Sequence, residues 1–273
     1  MSASVEVPDE LLGKLLNILG DGDGDLVFLL PLFESDPGAG DDIQDLSSVG
    51  LHGANVNALT YAPYIRGSLL SYRLDGTTDS LDIADNVLLS SIAGGVDVAG
   101  SWGCAFNMRT ANAALKYLIA KWDDQTPNVE WRLFVDAAEK INFGVMDDSV
   151  AVSDKTRLYN TVLPVDTWFV VVATYDGQGG ATPEAGINLY LWDGATKSYL
   201  GAVDDTTLDG GGVYVDMEDT AQHVSIGAAD TAAGPVPATW FGGDIALPFM
   251  TRRQLSAGEA EKAVLTIVEL LGL

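Results

Sequence analysis

The chain has 273 residues, 47% of them hydrophobic, and carries 39 acids against 14 bases for a formal net charge of −25. That apolar content excludes wholesale disorder, and the charge argues against direct nucleic-acid binding or adhesion to an anionic membrane surface. A single cysteine, Cys104, excludes an intrachain disulfide, and two histidines, His52 and His223, are too few for most zinc or triad chemistry.

The acids are 29 Asp and 10 Glu, and there are 30 Gly. Asp and Gly favour turns over helix interiors, so this balance suits many strands joined by tight turns. The opening residues Met1 to Glu6 lack a basic stretch followed by an apolar one, so no secretory signal is expected. No apolar run is long enough to span a bilayer, and membrane insertion is not expected.

In chain order, a first helix is expected over residues 8–19. Pro8 suits its first turn, and Asp9 and Glu10 suit the positive end of its dipole. Leu11, Leu12, Leu15, Leu16, Ile18 and Leu19 follow helical spacing, and Gly20 ends it. This helix is too apolar for a free arm. Leu11, Leu12, Leu15, Leu16 and Leu19 are therefore candidate assembly contacts, against the chain's own domain or a neighbour. Asp21, Asp23 and Asp25 imitate the start of an EF-hand loop, but Leu26 stands where its glycine must be and Leu32 where its last acid must be. An acidic hinge is the better reading, which makes residues 1–25 a helical arm with a hinge.

From Leu26 the pattern becomes short strands. Leu26 to Phe33 is apolar throughout. Trp102, Cys104, Phe106 and Met108 alternate with Gly103, Ala105, Asn107 and Arg109. Val129, Trp131, Leu133 and Val135 share a face, and Ile141, Phe143 and Val145 follow after a turn. Trp168 to Tyr175 is a Val-rich central-strand candidate. Ile187, Leu189 and Leu191 alternate with Asn188, Tyr190 and Trp192. Period two with frequent Asp and Gly breaks predicts an all-β antiparallel sandwich over residues 26–255. Ser256 and Glu259 then form a capping-box pair ahead of Ala260, Ala263, Val264, Ile267, Val268 and Leu271, which predicts a C-terminal helix over 256–273 packed on the sandwich or on a neighbour.

The strands also carry motifs. Leu30-Pro31-Leu32-Phe33-Glu34, Asp45 to Gly53 with its Ser47, His52 and Gly53, and Leu74-Asp75-Gly76-Thr77-Thr78-Asp79 come in that order. Asp166-Thr167-Trp168 running on to Tyr175-Asp176-Gly177, then Ile187 to Gly194, Val224 to Gly227, Phe241 to Ile245 and Leu255 to Glu259 complete the series. Together they resemble the laminin-G-like, pentraxin-related branch of the concanavalin-like lectin and glucanase superfamily, of the kind also found in phage virion proteins. The resemblance covers about residues 26–265 and implies a concanavalin-like jelly roll. It also implies a calcium site using Asp45 and a closing acid. Here Ala246 replaces that acid, and Ser48 and Val49 replace an Asn and a Gly of the early loop, so the site is incomplete: no cofactor is required, and calcium at Asp45 stays open as an optional ligand.

The glucanase branch uses paired acids on one strand, about 5 Å apart in a retaining enzyme. No such run is present. Asp136 and Glu139 flank a turn, and Asp82 and Asp85 follow a strand, so the chain is not expected to be an enzyme. Gly210-Gly211-Gly212 precedes no helix and reads as a turn rather than a phosphate loop. Candidate glycan-binding residues are Tyr190 and Trp192, which alternate away from the core-facing leucines, and Trp122 with Asp123 and Asp124 in a loop. Two functions fit. One is a structural protein of a virus particle, on capsid or tail, self-associating or meeting other virion proteins, with host glycan as a further partner. The other is an extracellular lectin-type module.

Overall fold

The computed structural model describes residues 9–32, 42–56, 60–62, 69, 71–111, 114–123, 128–147, 149, 153–203, 206–229 and 239–273. Helix α1 (Asp9–Leu19) opens it. The strands that follow are β1 (Leu26–Leu29), β2 (Asp42–Ile43), β3 (Gly53–Val56), β4 (Thr60–Ala62), β5 (Ser71–Asp75) and β6 (Ser80–Ile83). Next come β7 (Gly100–Met108), β8 (Lys116–Trp122), β9 (Val129–Val135), β10 (Ile141–Asp147), β11 (Ser153–Leu158) and β12 (Trp168–Tyr175). The series ends with β13 (Ile187–Asp193), β14 (Ser198–Ala202), β15 (Thr206–Asp209), β16 (Val224–Ile226), β17 (Gly242–Thr251) and helix α2 (Ala257–Leu271).

Every strand pair among the described residues is antiparallel. One sheet runs β14-β13-β12-β7-β17-β5-β4, with β1 on the rest of β17; the other runs β15-β11-β10-β9-β8-β16-β6-β3-β2. The fold is the expected jelly-roll sandwich with a helix at each end.

Alternation builds the core. Trp102, Cys104, Phe106 and Met108 of β7 meet Trp131, Leu133, Phe143 and Val145 of the facing sheet, all buried. The Trp102 ring lies 5.2 Å from Trp131 and 4.6 Å from Phe143, centroid to centroid. Gly100 makes room for this: a Cβ there would sit 2.5 Å from the Trp102 ring. Burial pushes the Cys104 thiol well up, so it behaves as a small apolar group.

The other face of the eight-stranded sheet is also covered. Ala105, Val170, Val172 and Ala246 lie beneath the two helices, with Leu15 and Leu19 of α1 and Ala260, Ala263, Val264, Ile267, Leu270 and Leu271 of α2. The predicted capping box is present: Glu259 N–H donates to Ser256 Oγ, and Ser256 N–H donates back to Glu259 Oε2. Gly272 closes α2 in the left-handed conformation.

The acidic segment after α1 is fastened down. Asp21–Asp23 forms a short 3-10 turn between Gly20 and Gly24, and Asp21 Oδ1 accepts from the Ser48 N–H (2.8 Å). Arg253 reaches Asp25, Glu259 and the Ile18 carbonyl, joining both helices to the turn. Leu15 and Leu19 are fully buried in the apolar layer between the helices and the sheet. Leu11, Leu12 and Leu16 are half-buried against the same layer.

Candidate ligand-binding site

Asp45 is buried, and its carboxylate is used by its own loop. Oδ1 accepts from the N–H groups of Leu29 and Ser47 (2.9 Å each), and Oδ2 accepts from Ser47 Oγ and the Leu51 N–H (2.7 Å). Its own N–H donates to His52 Nδ1 (3.0 Å). These bonds pin the loop after β2 to β1. Ala246 lies on the far side of the other sheet, under the helices. No group of three or more His, Cys, Asp or Glu side chains suited to a metal occurs among the described residues.

The aromatic candidates divide between the two sheets. Trp122 belongs to the outer face of the nine-stranded sheet, with Tyr117, Phe134 and Met146. The Arg132 guanidinium covers it, 3.9 Å from the Trp122 ring and 4.3 Å from Phe134, and pairs with Asp154. Trp122 and Asp123 are both buried, so no open platform is formed there; Asp124 lies outside the described residues. Tyr190 and Trp192 do point away from the inter-sheet core, as alternation requires, but the helix layer covers them. Burial, with Glu261 and Tyr190 close by, pushes the neighbouring Tyr199 hydroxyl up to about 12.

Trp192, though only 5% exposed, still borders an opening. Beside the end of α2 lies a cleft of about 290 Å³, lined by Asp166, Thr167, Trp168, Trp192, Gly194 and Lys197, with Gly272 and Leu273 at its helix side. Hairpin chemistry shapes it. Asp193 accepts from the Ala195 N–H (2.8 Å) and the Thr196 hydroxyl (2.9 Å), and the Gly194 N–H donates to the Trp168 carbonyl (3.0 Å). A Cβ on Gly194 would lie 2.3 Å from that carbonyl oxygen and 3.1 Å from the Trp192 ring, so only glycine leaves the cleft open. Asp166 (φ 54°) and Lys197 (φ 52°) both hold left-handed backbone conformations that side-chain-bearing residues avoid. Two of the four such residues among those described thus lie on the wall of one small cleft. Strain of this kind concentrates where a site must be shaped. Trp168 stands in the sequence only as the head of an apolar strand and part of a fold motif, and neither marks it as a binding residue.

A second polar concentration is fully internal. Lys121 and Glu130 are both 0% exposed and paired at 2.7 Å, and Lys121 Nζ also reaches Asp85 (3.0 Å), Ser90 Oγ (2.8 Å) and the Thr220 carbonyl (2.7 Å). Glu130 Oε1 accepts from the Thr220 N–H (2.9 Å) and hydroxyl (2.8 Å). Nearby, Asp97 accepts from the Tyr175 and Tyr214 hydroxyls and the Met217 N–H, and Asp147 accepts from the Val215 N–H. Buried carboxylates thus tie the irregular segment 213–220 across the sandwich.

Burial raises the Glu130 carboxyl against the lowering pull of Lys121 and Thr220, and raises Asp97 against its Tyr175, Met217 and Tyr214 partners. An acid whose folded pKa is raised contributes stability that is fully present below its unfolded pKa, near 4, and lost as pH rises through the folded one. Two acids run oppositely. At Asp75, burial is outweighed by hydrogen bonds from Thr77 and Thr78, and at Glu259 Ser256 lowers the carboxyl; their contribution is lost as pH falls below about 4. Self-repulsion from the −25 charge also eases as acids protonate. The midpoint Tm in a thermal melt is therefore expected to rise by roughly 2–4 °C between about pH 7.5 and about pH 5. A fall over that interval would contradict these assignments.

No protein-family model matches the chain, and no curated protein does. Solved structures do. The binding domain of Paraclostridial Mosquitocidal Protein 1 is similar at TM-score 0.57 and 13% identity, covering 89% of this chain and 52% of that one. The botulinum neurotoxin serotype D ligand binding domain, in complex with N-acetylneuraminic acid, is similar at TM-score 0.56 and 12% identity, covering 94% and 52%. A botulinum neurotoxin type C structure, described by cell entry dependent on interaction with two ganglioside molecules, is similar at TM-score 0.56 and 10% identity, covering 92% and 53%. At such identity the likeness shows the β-sandwich fold alone. It singles out neither the laminin-G-like branch nor a phage protein. The chain spans about half the length of these structures.

Proposed function

We propose that the chain is a non-enzymatic, carbohydrate-binding interaction module whose ligand seat is the cleft between Trp168 and Trp192. The observation that carries this reading is the cleft itself: two indoles at an open strand end, flanked by Asp166 and Lys197 held in strained backbone conformations. An indole face stacks on the C–H face of a sugar while adjacent polar groups take its hydroxyls, the usual division of labour in a small-molecule site. The similar structures are binding domains, and two are described with N-acetylneuraminic acid or gangliosides, which supports the class of ligand. An extracellular or surface setting suits such a ligand. A place on a virus particle draws on the apolar first helix as a docking element, and Leu15 and Leu19 of that helix are occupied within the chain's own fold.

The test is a glycan array with and without calcium, followed by Trp168→Ala. Trp168 is partly exposed at the head of β12, so its loss leaves the inter-sheet core intact. Affinity for any bound glycan is expected to fall about thirtyfold, the effect of losing a tryptophan hot spot of about 2 kcal/mol. Undiminished binding by Trp168→Ala, or no glycan bound by the native chain, would overturn the proposal.

A further inference from the structure

Beside the cleft, on the same outer face of the eight-stranded sheet, a row of side chains crosses four strands. Trp168 stands directly opposite Asn107, Asn107 opposite Asp244, and Asp244 opposite Arg73. Their chain neighbours Phe169, Phe106, Ile245 and Leu74 point into the inter-sheet core, so these four point out. Arg109, next after β7, joins the row.

The ionic arrangement is uneven. The Asp244 side chain is 1% exposed and holds two guanidinium groups, through Arg73 Nε to Oδ1 (3.1 Å) and Arg109 Nε to Oδ2 (2.8 Å). One arginine offering a bidentate fork would neutralise that carboxylate. Here two arginines each give it a single Nε–H. Their terminal Nη groups make no hydrogen bond among the described residues, and the two side chains are 34% and 44% exposed. The buried carboxylate fixes both guanidinium planes, and one positive charge is left over in a protein of net charge −25. Between this pair and Trp168, Asn107 is 8% exposed, with an Oδ1 that has no hydrogen-bond partner among the described residues.

We propose that Arg73 and Arg109 form an oxyanion seat, and that the glycan of the Trp168 cleft is an acidic one, carrying a carboxylate or sulfate. This rests on the cleft reading above for the sugar, but the seat stands on the arginine geometry. Trp168 and Asp244 lie two strand spacings apart, roughly 10 Å, within the reach of a disaccharide. A sugar ring on Trp168 would place its acid group against the four Nη groups. The seat is open to solvent, so binding weakens as salt rises.

Two measurements separate the claims. In the first, the Tm of the native chain, Arg73→Gln and Arg109→Gln is followed in sodium sulfate and in sodium chloride at equal ionic strength. Each substitution leaves one arginine on Asp244, and the chloride melts report whether the variant folds. Sulfate stabilises proteins generally, so the expected result is an additional stabilisation of the native chain that both substitutions remove. In the second, a neutral oligosaccharide is compared with its uronic-acid counterpart. The acidic one is expected to bind about tenfold more tightly, and Arg109→Gln to erase that preference. A sulfate effect equal in all three proteins, or a preference absent from the native chain or surviving both substitutions, would overturn the seat. If neither sugar binds while sulfate stabilises in an arginine-dependent way, the seat stands and the cleft reading alone fails.

Discussion

Lys121→Met is expected to destabilise the protein by about 3–5 kcal/mol, measured by urea unfolding near neutral pH. Lys121 and Glu130 are both fully buried, and Lys121 is also the donor to Ser90 and the Thr220 carbonyl. Removing the ammonium leaves the Glu130 charge without its counter-charge in a site that excludes water, and Glu130 Oε2 already lacks a hydrogen-bond partner among the described residues. The cost is the desolvation of a stranded carboxylate, which exceeds any loss of packing. Adding Glu130→Leu to Lys121→Met is expected to restore a large part of the loss, because an apolar pair then replaces an ionic one. A single-variant loss below about 1 kcal/mol would show that water reaches the pair.

Trp102→Ala is expected to cost about 3–5 kcal/mol in the same measurement. Trp102 is central to the inter-sheet core: it is 0% exposed on β7 and packs, with tilted rings, against Trp131 and Phe143 of the opposing sheet. Truncation removes those contacts and leaves a cavity that the rigid strands on both sides cannot close. Trp102→Phe keeps an aromatic ring at the position and is expected to cost distinctly less. Equal losses for the two variants would mean that the indole's volume is not what holds the sheets together.

These two residues mark how far the sequence could be read. Trp102 is legible: it alternates with Cys104, Phe106 and Met108, and period two assigns all four to one face. The capping box at Ser256 and the helical spacing of residues 11–19 are local signals too, and both helices form. Lys121 and Glu130 are not legible. They sit in strands as charged residues at alternate positions, the pattern of a solvated face, and are buried only because segment 213–220 and Ser90 close over them. Contacts at such sequence separations leave no mark in local periodicity.

The same limit governs the candidate site. Alternation turns Tyr190 and Trp192 outward correctly, yet both chain ends return to lay α1 and α2 over that face, so outward does not mean open. Trp122 is hidden under Arg132, a contact between adjacent strands that composition does not announce. Asp45 draws attention in the sequence through its motif, but its oxygens are taken by four donors of its own neighbourhood. Trp168 reads as the head of a buried strand. Only the hairpin at Gly194, the end of α2 and the left-handed Asp166 and Lys197 turn it into a wall of a cleft.

The most direct test of the cleft is an NMR titration of the indole N–H signals with a glycan identified on the array. The chain has six tryptophans, at 102, 122, 131, 168, 192 and 240, so each signal can be assigned by single substitution. The cleft predicts that the signals of Trp168 and Trp192 move on ligand addition while those of Trp102 and Trp131, sealed between the sheets, stay in place. Movement of the Trp122 signal with Trp168 and Trp192 unchanged would put the ligand on the other sheet and contradict the account.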